Sequence, residues 1–375
     1  MILPVIIAGG VGSRLWPVSK NLLPKQFICF SQFKESLFQK TVNRIAGMPN
    51  VLPPLVICGK PHHSLVTEQL LSIEQTDGTI MLEPHGRGTA PACAMAALHA
   101  KQRDPDTLLL VLPADHLIRD LAGFRQAIQV ATPAALQRYL VTFGIKPETP
   151  STGYGYIKKG EQIEGISCFE VSCFAEKPEK SVAESYLRDG SYFWNSGMFL
   201  MSAQSYLDEL EKHAFDVFKT CTRSFENLIR KDNFLEITES DFSKCPNDSI
   251  DYAVMENTTK GAVMTLDVGW NDLGDWDSFA AVSSKDESQN TKIGDVHVHD
   301  VRDSYIQAND RLVAALGVQD MVIIETAEAV LVSDKNSVQD VKKIAGSLKS
   351  EWEETMTQAE IQKPWGFYRS LTKED

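Results

Sequence analysis

The stretch on which the fold turns is Ala8–Phe27, AGGVGSRLWPVSKNLLPKQF, entered through the apolar run Leu3–Ile7. That run is partly β-branched and reads as a short buried strand. Gly9, Gly10 and Gly12 follow. They permit a tight turn and let a bound group reach the backbone amides with no Cβ in the way. Consecutive amides in such a turn form a concavity for anions such as phosphates. Arg14 adds a planar fork for phosphate oxygens, and Lys25 a compact point charge. Pro17 and Pro24 interrupt helix formation, so an ordered loop is expected over much of the segment. A dinucleotide fingerprint would need a third glycine opening a helix, where Leu15, Trp16 and Pro17 stand instead. A Walker-type loop would end in Gly-Lys-Ser/Thr, which is missing. The plainer competitor is a glycine-rich turn with surface charges, and the added Arg14 and Pro24-Lys25 favour the phosphate cradle.

Downstream, strands and helices alternate. Leu37–Ala46 reads as a helix, Pro54–Cys58 as a strand, Ser64–Leu71 as a helix and Thr79–Leu82 as a short strand. Ala90–Ala100 is small and apolar, which suits a tightly packed helix. Leu108–Leu112 is a continuous apolar run, the mark of a strand covered on both faces. This order predicts an α/β fold with a mostly parallel sheet. Ligands in such sheets gather beyond the carboxyl ends of the strands. The glycine loop, Glu83 and Asp115 all sit at such ends. Residues 139–270 mix short strands, helices and aromatic turns that should complete the same domain. From Ile293 the texture changes to short alternating strands separated by Asn, Asp and Gly, which predicts a stacked, β-helix-like unit with no strict repeat visible. Ser337–Ser350 reads as helical, and 351–362 as a charged helix or linker.

The loop GGVGSRLWPVSKNLLPKQF closely resembles the signature loop of sugar-nucleotide pyrophosphorylases. Its RLWP and PKQF variants resemble those of the mannose-1-phosphate guanylyltransferases. The resemblance implies a Rossmann-like, GT-A-like nucleotidyltransferase domain over 1–285 and a C-terminal β-helix-like domain over 286–350. Residues 351–375 would be a linker and the start of an isomerase-like cupin domain, because KPWG followed by an aromatic resembles the opening of that domain in bifunctional relatives. No such domain follows, so isomerase chemistry is expected to be absent.

Several constellations carry the expected site. Glu83-Pro84-His85-Gly86-Arg87-Gly88-Thr89-Ala90 reads as a strand-to-helix turn with Thr89 as a cap; by resemblance it recognises the base. The usual pattern has Asn at the position of Gly88. Nucleotide contacts are thus expected from Ala8, Gly9, Gly10, Gly12, Ser13, Arg14 and Lys25, and from Glu83, Arg87 and Thr89. In LLLVLPADH, Asp115 ends a buried strand, where a carboxylate must be exposed, paired or metal-bound. Magnesium uses one or two carboxylates together with substrate phosphates, which suits Asp115; a helix cap is the alternative. His116 has no metal-ligand partner spacing and reads as structural. In GWNDLGDW, Asp272 is the second metal ligand by resemblance, with Asp275 its rival or a helix cap. By resemblance the sugar phosphate is held by Gly155, Glu176 and Lys177, although an ion pair of neighbours is the simpler reading of Glu176-Lys177. Asn195 both donates and accepts, which suits a hydroxyl-rich ligand; an ordinary turn Asn is the alternative. Ser249–Glu256 matches a further stretch of the family, with Asn257 where a Lys is usual, and reads mostly as helical packing.

The chain has 375 residues, 43% hydrophobic and 23% charged, ordinary for a globular protein. A net charge of −13 argues against a nucleic-acid partner. Seven scattered cysteines with no CxxC pair suggest reduced thiols in the cytoplasm. Neither a signal peptide nor a membrane span is apparent. The expected reaction is magnesium-dependent in-line transfer, in which α-D-mannose 1-phosphate attacks GTP to give GDP-mannose and diphosphate. Arg14, Lys25, Asp115 and Asp272 are the expected catalytic residues, and a homodimer is the assembly kept in view. The alternatives are a sister enzyme with another base or hexose, and a non-catalytic relative that binds nucleotide sugar.

Overall fold

The structure is a computed structural model that describes residues 1–10, 12–231, 234–348, 360–363 and 366–369. It divides into two compact units, Met1–Gly10 with Leu37–Asp272, and Val11–Ser36 with the chain from Leu273 onward. The first unit opens with β1 (Ile2–Ile7), α1 (Leu37–Asn43), β2 (Leu55–Gly59), α2 (His63–Ser72), β3 (Thr79–Glu83), α3 (Thr89–Lys101) and β4 (Leu108–Pro113). It continues through α4 (Leu121–Leu136), β5 (Leu140–Ile145), β6 (Tyr156–Gln162), β7 (Phe169–Ala175), α5 (Lys180–Asp189) and β8 (Tyr192–Ser202). Then come α6 (Ala203–His213), α7 (Phe215–Glu226), β9 (Ile229–Arg230), β10 (Phe234–Glu236), α8 (Glu239–Phe242) and β11 (Gly261–Leu266).

Its strands form one mixed 11-stranded sheet in the order β5-β11-β7-β6-β8-β4-β1-β2-β3-β10-β9. The run β4-β1-β2-β3-β10 is parallel, built largely from the apolar strands legible in the first third of the chain. Antiparallel pairing enters with β8 against β4 and with the β6–β7 ribbon. The alternation of β4 explains its unbroken apolarity. Leu109 and Val111 face one core, with α3, α6 and α7, while Leu108, Leu110 and Leu112 face the other, with Phe124 and Ile128 of α4. The alanines of α3 let the packed elements approach closely, and Pro91 lies in its first turn, where a missing N–H costs no helical bond. Thr89 is not the cap of this helix: Gly88 occupies that position, and Thr89 Oγ1 instead accepts from Ile250 N at 2.9 Å.

β8 runs unbroken through Trp194–Phe199, a segment that also reads as a turn. Its first half pairs with β6 and its second with β4, and the change of partner occurs around Gly197, at φ 70. That backbone suits glycine. Asn195 thereby sits where the strand crosses the sheet.

The second unit holds α9 (Trp276–Val282), β12 (Thr291–Ile293), β13 (Val296–His299), β14 (Tyr305–Ala308), β15 (Val313–Leu316), β16 (Met321–Glu325) and β17 (Val330–Asp334). β12, β14 and β16 stack in parallel, as do β13 and β15, so short rungs enclose Val301, Ile306 and Ala315. A repeat does exist in the backbone. Asp300 and Gly317, and Asp303 and Asp320, adopt positive φ at positions 17 residues apart. Residues 341–348 are helical. In the tail, β18 (Glu360–Lys363) pairs with β19 (Gly366–Arg369), so 360–362 are strand rather than helix or linker; 351–359 and the Pro364-Trp365 pair of KPWG lie outside the described residues.

Glu83, the last residue of β3, is buried, and its Oε1 has no hydrogen-bond partner. Burial pushes its carboxyl up to about 7 from the usual value of 4.5. The folded protein therefore favours the neutral acid. Whatever stability that form supplies is complete below pH 4.5 and is lost as the pH rises through about 7. Glu83→Gln, which stays neutral, should unfold less readily than the native chain at pH 8, by on the order of 2–3 kcal/mol, with the gap closing towards pH 4. Urea titrations at both pH values measure this, and equal stability at pH 8 would contradict it.

Candidate functional site

Beyond the carboxyl ends of β1 and β4, the first unit holds a cavity of about 320 Å³. Gly9, Thr89, Asp115, Gly155, Glu176, Lys177, Asn195 and Asp272 all line it, together with His116, Tyr154, Asp251 and Trp270. Asp115 and Asp272 are thus brought to one space from distant parts of the chain. The link is backbone: Leu117 N donates to Asn271 O at 2.8 Å, and Asn271 N donates back to Leu117 O at 3.0 Å. Asp115 is no helix cap, since Asp120 caps α4 by accepting from Gly123 N at 2.9 Å. Asp275 does cap a helix: it opens α9 in the second unit and accepts from Ser278 N at 2.8 Å.

Aromatic side chains hold the acid tips. Tyr154 OH donates to Asp272 Oδ1 at 2.7 Å, and its ring lies edge-on to Trp194 and Trp270. Trp270 Nε1 donates to His116 Nδ1 at 3.2 Å. A neutral imidazole then carries its proton on Nε2, which lies 3.7 Å from Asp115 Oδ1. His116 therefore has a supporting position. Tyr154 and Trp270 were present in the TGYGY and GWNDLGDW segments, but nothing in their spacing announced that they would meet.

Glu176 and Lys177 form the neighbour ion pair at 2.5 Å and still line the cavity. Glu176 N donates to Glu256 Oε1 at 3.0 Å, and Lys177 holds a left-handed backbone at φ 47. Burial lowers the Lys177 ammonium's affinity for its proton, but the bond and charge of Glu176, with Asp251 beyond, leave its pKa above the usual value. Gly155 makes room for this wall: a Cβ there would meet Glu176 Oε2 at 2.3 Å. The glycine thus admits a carboxylate.

Glu83 and Arg87 are not among the residues that line this cavity. Arg87 donates to Ser243 O at 2.6 Å. Gly88 has φ 82 and ψ −179, a region essentially restricted to glycine, and a Cβ would meet Asp248 O at 2.1 Å. The loop is stitched to that segment through Asp248 N to Arg87 O at 3.0 Å and Ala90 N to Asp248 O at 3.2 Å.

Arg14 and Lys25 belong to the second unit with the rest of the loop from Val11. Only single helical turns, Ser13–Leu15 and Lys25–Phe27, interrupt it. Gly12, at φ 69, packs so closely over Lys25 that a Cβ would lie 2.6 Å from that of the lysine. Ser19 Oγ donates to Gly12 O at 2.6 Å, and the buried Lys25 Nζ donates to Leu273 O at 3.3 Å. Ala8 is buried at the end of β1, and Gly10 has φ 84.

Among the described residues, no group of three or more His, Cys, Asp or Glu is placed to hold a metal ion. Asp115 and Asp272 both present hard carboxylate oxygens to the cavity, a donor type that fits a hard divalent cation. No helix among the described residues is long and apolar enough to cross a membrane.

Comparison with known proteins identifies the family. Residues 3–289 match the nucleotidyl transferase family, and residues 295–348 the mannoseP isomerase/GMP-like beta-helix domain. A mannose-1-phosphate guanylyltransferase of Salmonella montevideo is 45% identical over 99% of this chain and 79% of its own. One of Escherichia coli (strain K12) is 44% identical over 99% of this chain and 79% of its own. A solved Thermus thermophilus structure, described as a mannose-1-phosphate geranyltransferase, superposes with a TM-score of 0.82 at 29% identity, over 93% of this chain and 99% of that one. With similarity of this extent over almost its whole length, the chain belongs to the mannose-1-phosphate guanylyltransferase family of nucleotidyl transferases.

Proposed function

We propose that the protein is a mannose-1-phosphate guanylyltransferase, converting GTP and α-D-mannose 1-phosphate into GDP-mannose and diphosphate. The observation that carries the reading is the meeting of Asp115, Asp272, Glu176, Lys177 and Gly9 on one cavity in a chain of this family. An oxygen of the sugar phosphate attacks the α-phosphorus of GTP, the bond to the β-phosphate breaks, and diphosphate leaves with the electron pair. The attacking group is already an anion, so no general base is needed. Catalysis then consists of positioning and charge neutralisation. Asp115 and Asp272 would hold magnesium; the chemistry it supplies when bound is neutralisation of charge on phosphate oxygens. Lys177 steers the attacking phosphate. Arg14 and Lys25, with the amides of the glycine loop from Ala8 to Ser13, counter the triphosphate and its leaving group. Glu83, Arg87 and Thr89 form the proposed base-side segment. The proposed catalytic domain spans 1–285 and the β-helix-like domain 286–350. A cytoplasmic location fits seven free cysteines.

Pyrophosphate release, measured with magnesium over a panel of nucleoside triphosphates and hexose 1-phosphates, tests this reading; preference for any other pair overturns it. Lys25→Met keeps the buried stem while removing the charge. That variant and Asp115→Ala should each lower kcat by about 100- to 1,000-fold with the fold retained in circular dichroism. Near-native turnover in either would remove that residue from the mechanism.

Gly88 gives a prediction of opposite sense to the family pattern. Because its backbone admits no side chain beside Asp248, Gly88→Asn should weaken GTP use, raising KM for GTP by about tenfold or more. Steady-state kinetics would expose an unchanged or improved KM as a contradiction.

A further inference from the structure

Arg44 follows the last residue of α1, where a cation is an ordinary complement to the helix end. The fold buries it instead, at 1% exposure, with its guanidinium 5.9 Å from the centre of the Phe124 ring. Its Nε and Nη1 have no hydrogen-bond partner, and no carboxylate among the described residues forms an ion pair with it. A buried cation without a counter-ion is costly, and an apolar side chain of similar size is often the more stable occupant of such a place. What sets this position apart is the bond that Nη2 donates to His116 O, at 2.6 Å. That oxygen belongs to the peptide whose N–H is that of Leu117, and Leu117 N donates to Asn271 O at 2.8 Å. One peptide is thus gripped at both ends, by Arg44 on its carbonyl and by Asn271 on its amide. Arg44 is held in turn from α4. Arg125 Nε donates to Arg44 O at 2.8 Å, and its Nη2 donates to Ala46 O at 3.1 Å and Asn43 O at 3.4 Å, which satisfies carbonyls at the end of α1.

We propose that Arg44 is a positioning residue for the transfer reaction: by holding the His116–Leu117 peptide, it fixes where Asp115 stands relative to Asp272. Asp115 is bracketed by two backbone anchors. On one side Ala114 N donates to Ile7 O at 3.1 Å, and on the other lies the gripped peptide. A planar peptide held at its carbonyl and its amide cannot turn over, so the chain on either side of it keeps one course. Charge suits the task, because a hydrogen bond from a charged donor is about twice as strong as a neutral one. A planar guanidinium packed on an aromatic ring also has little freedom left to lose. Arg44 is not among the residues that line the cavity, so it acts through the backbone and not on substrate. Its effect on turnover rests on the guanylyltransferase reading of the cavity; its effect on the backbone rests on the hydrogen bonds alone.

Amide hydrogen exchange and steady-state kinetics test this together. Arg44→Met keeps an unbranched buried stem and removes the donors and the charge. Exchange at the Leu117 and Asn271 amides should then quicken about tenfold or more, the effect of losing a bond from a charged donor, while Leu109–Val111 in β4 stay within about twofold. In the same variant kcat should fall about tenfold or more, with KM for GTP and for mannose 1-phosphate within about threefold. Arg44→Lys, which keeps the charge and a donor, should lie between the two in both readouts. Native exchange at Leu117 and Asn271 in Arg44→Met overturns the grip. Equal acceleration throughout β4 reduces Arg44 to general support of the core, and quickened exchange with native kcat separates the grip from the reaction; either overturns the positioning role. No GDP-mannose formation by the native enzyme overturns the guanylyltransferase reading instead and leaves the exchange result standing. A further measurement needs no variant and decides the matter even where Arg44→Met fails to fold. In the native protein the Leu117 and Asn271 amides should exchange within about tenfold of those of β4; exchange as fast as an unprotected turn amide overturns the proposal.

Discussion

Two backbone hydrogen bonds, exchanged between Leu117 and Asn271, determine whether this chain has a candidate site at all. Asp115 stands two residues before one partner, and Asp272 follows the other. Each acid would otherwise be a charged tip at the end of its own apolar strand, a costly arrangement without a partner. The bridge brings the two acids to one cavity. It works because β4 and the segment after β11 leave the sheet at the same end, as the switch-point rule for such sheets requires. The aromatic supports then narrow the freedom of each tip: Tyr154 on Asp272, and Trp270 acting through His116 beside Asp115.

The signature loop is held by a part of the chain that sequence reading treats separately. Within the second unit, Trp276 Nε1 donates to Trp16 O at 3.2 Å, and Phe30 lies against Phe279 with ring centroids 4.5 Å apart. Gln32 Nε2 donates to Tyr305 OH at 2.9 Å, and Lys20 pairs with Glu328 at 2.5 Å. A loop with two prolines and three glycines has little structure of its own to keep a lysine in place. Here α9 and the stacked rungs supply it. The second unit thus holds in place the loop that carries Arg14 and Lys25.

What could be read from the sequence followed from how local the cause was. The parallel strands announced themselves because burial on both faces leaves an unbroken apolar run, and the loop because its glycines and cations are adjacent. α4 escaped notice because Gly123 and Pro133 punctuate it, yet Asp120 caps its start and Phe124 and Ile128 still bury its inner face. The repeat of the β unit escaped for another reason. Its rungs share a backbone conformation rather than a residue type, with Asp300 answered by Gly317. Both tolerate positive φ, so selection for shape leaves no letter pattern. Gly88 shows the converse limit. Its departure from the family's Asn looks like a lost amide, whereas the backbone of Asp248 occupies the place where any side chain would begin.

An acidic protein that takes two phosphate-bearing substrates faces an electrostatic difficulty, and the cavity of the first unit sharpens it. Among the described residues that line it, Asp115, Glu176, Asp251 and Asp272 stand with one ammonium, that of Lys177, already bonded to Glu176. Two like charges 4 Å apart repel by about 4 kcal/mol at an effective dielectric constant near 20. A naked triphosphate or sugar phosphate would therefore be turned away by these walls. Asp115 and Asp272, if they hold the proposed divalent ion, would have their two negative charges neutralised by its two positive ones. Glu176 and Asp251 also line the cavity, and carboxylates reject phosphate oxygens but accept from hydroxyls. On the proposed reading the cavity would thus favour a sugar phosphate over a substrate of uniform charge, with the anion towards cations and the hydroxyls towards acceptors.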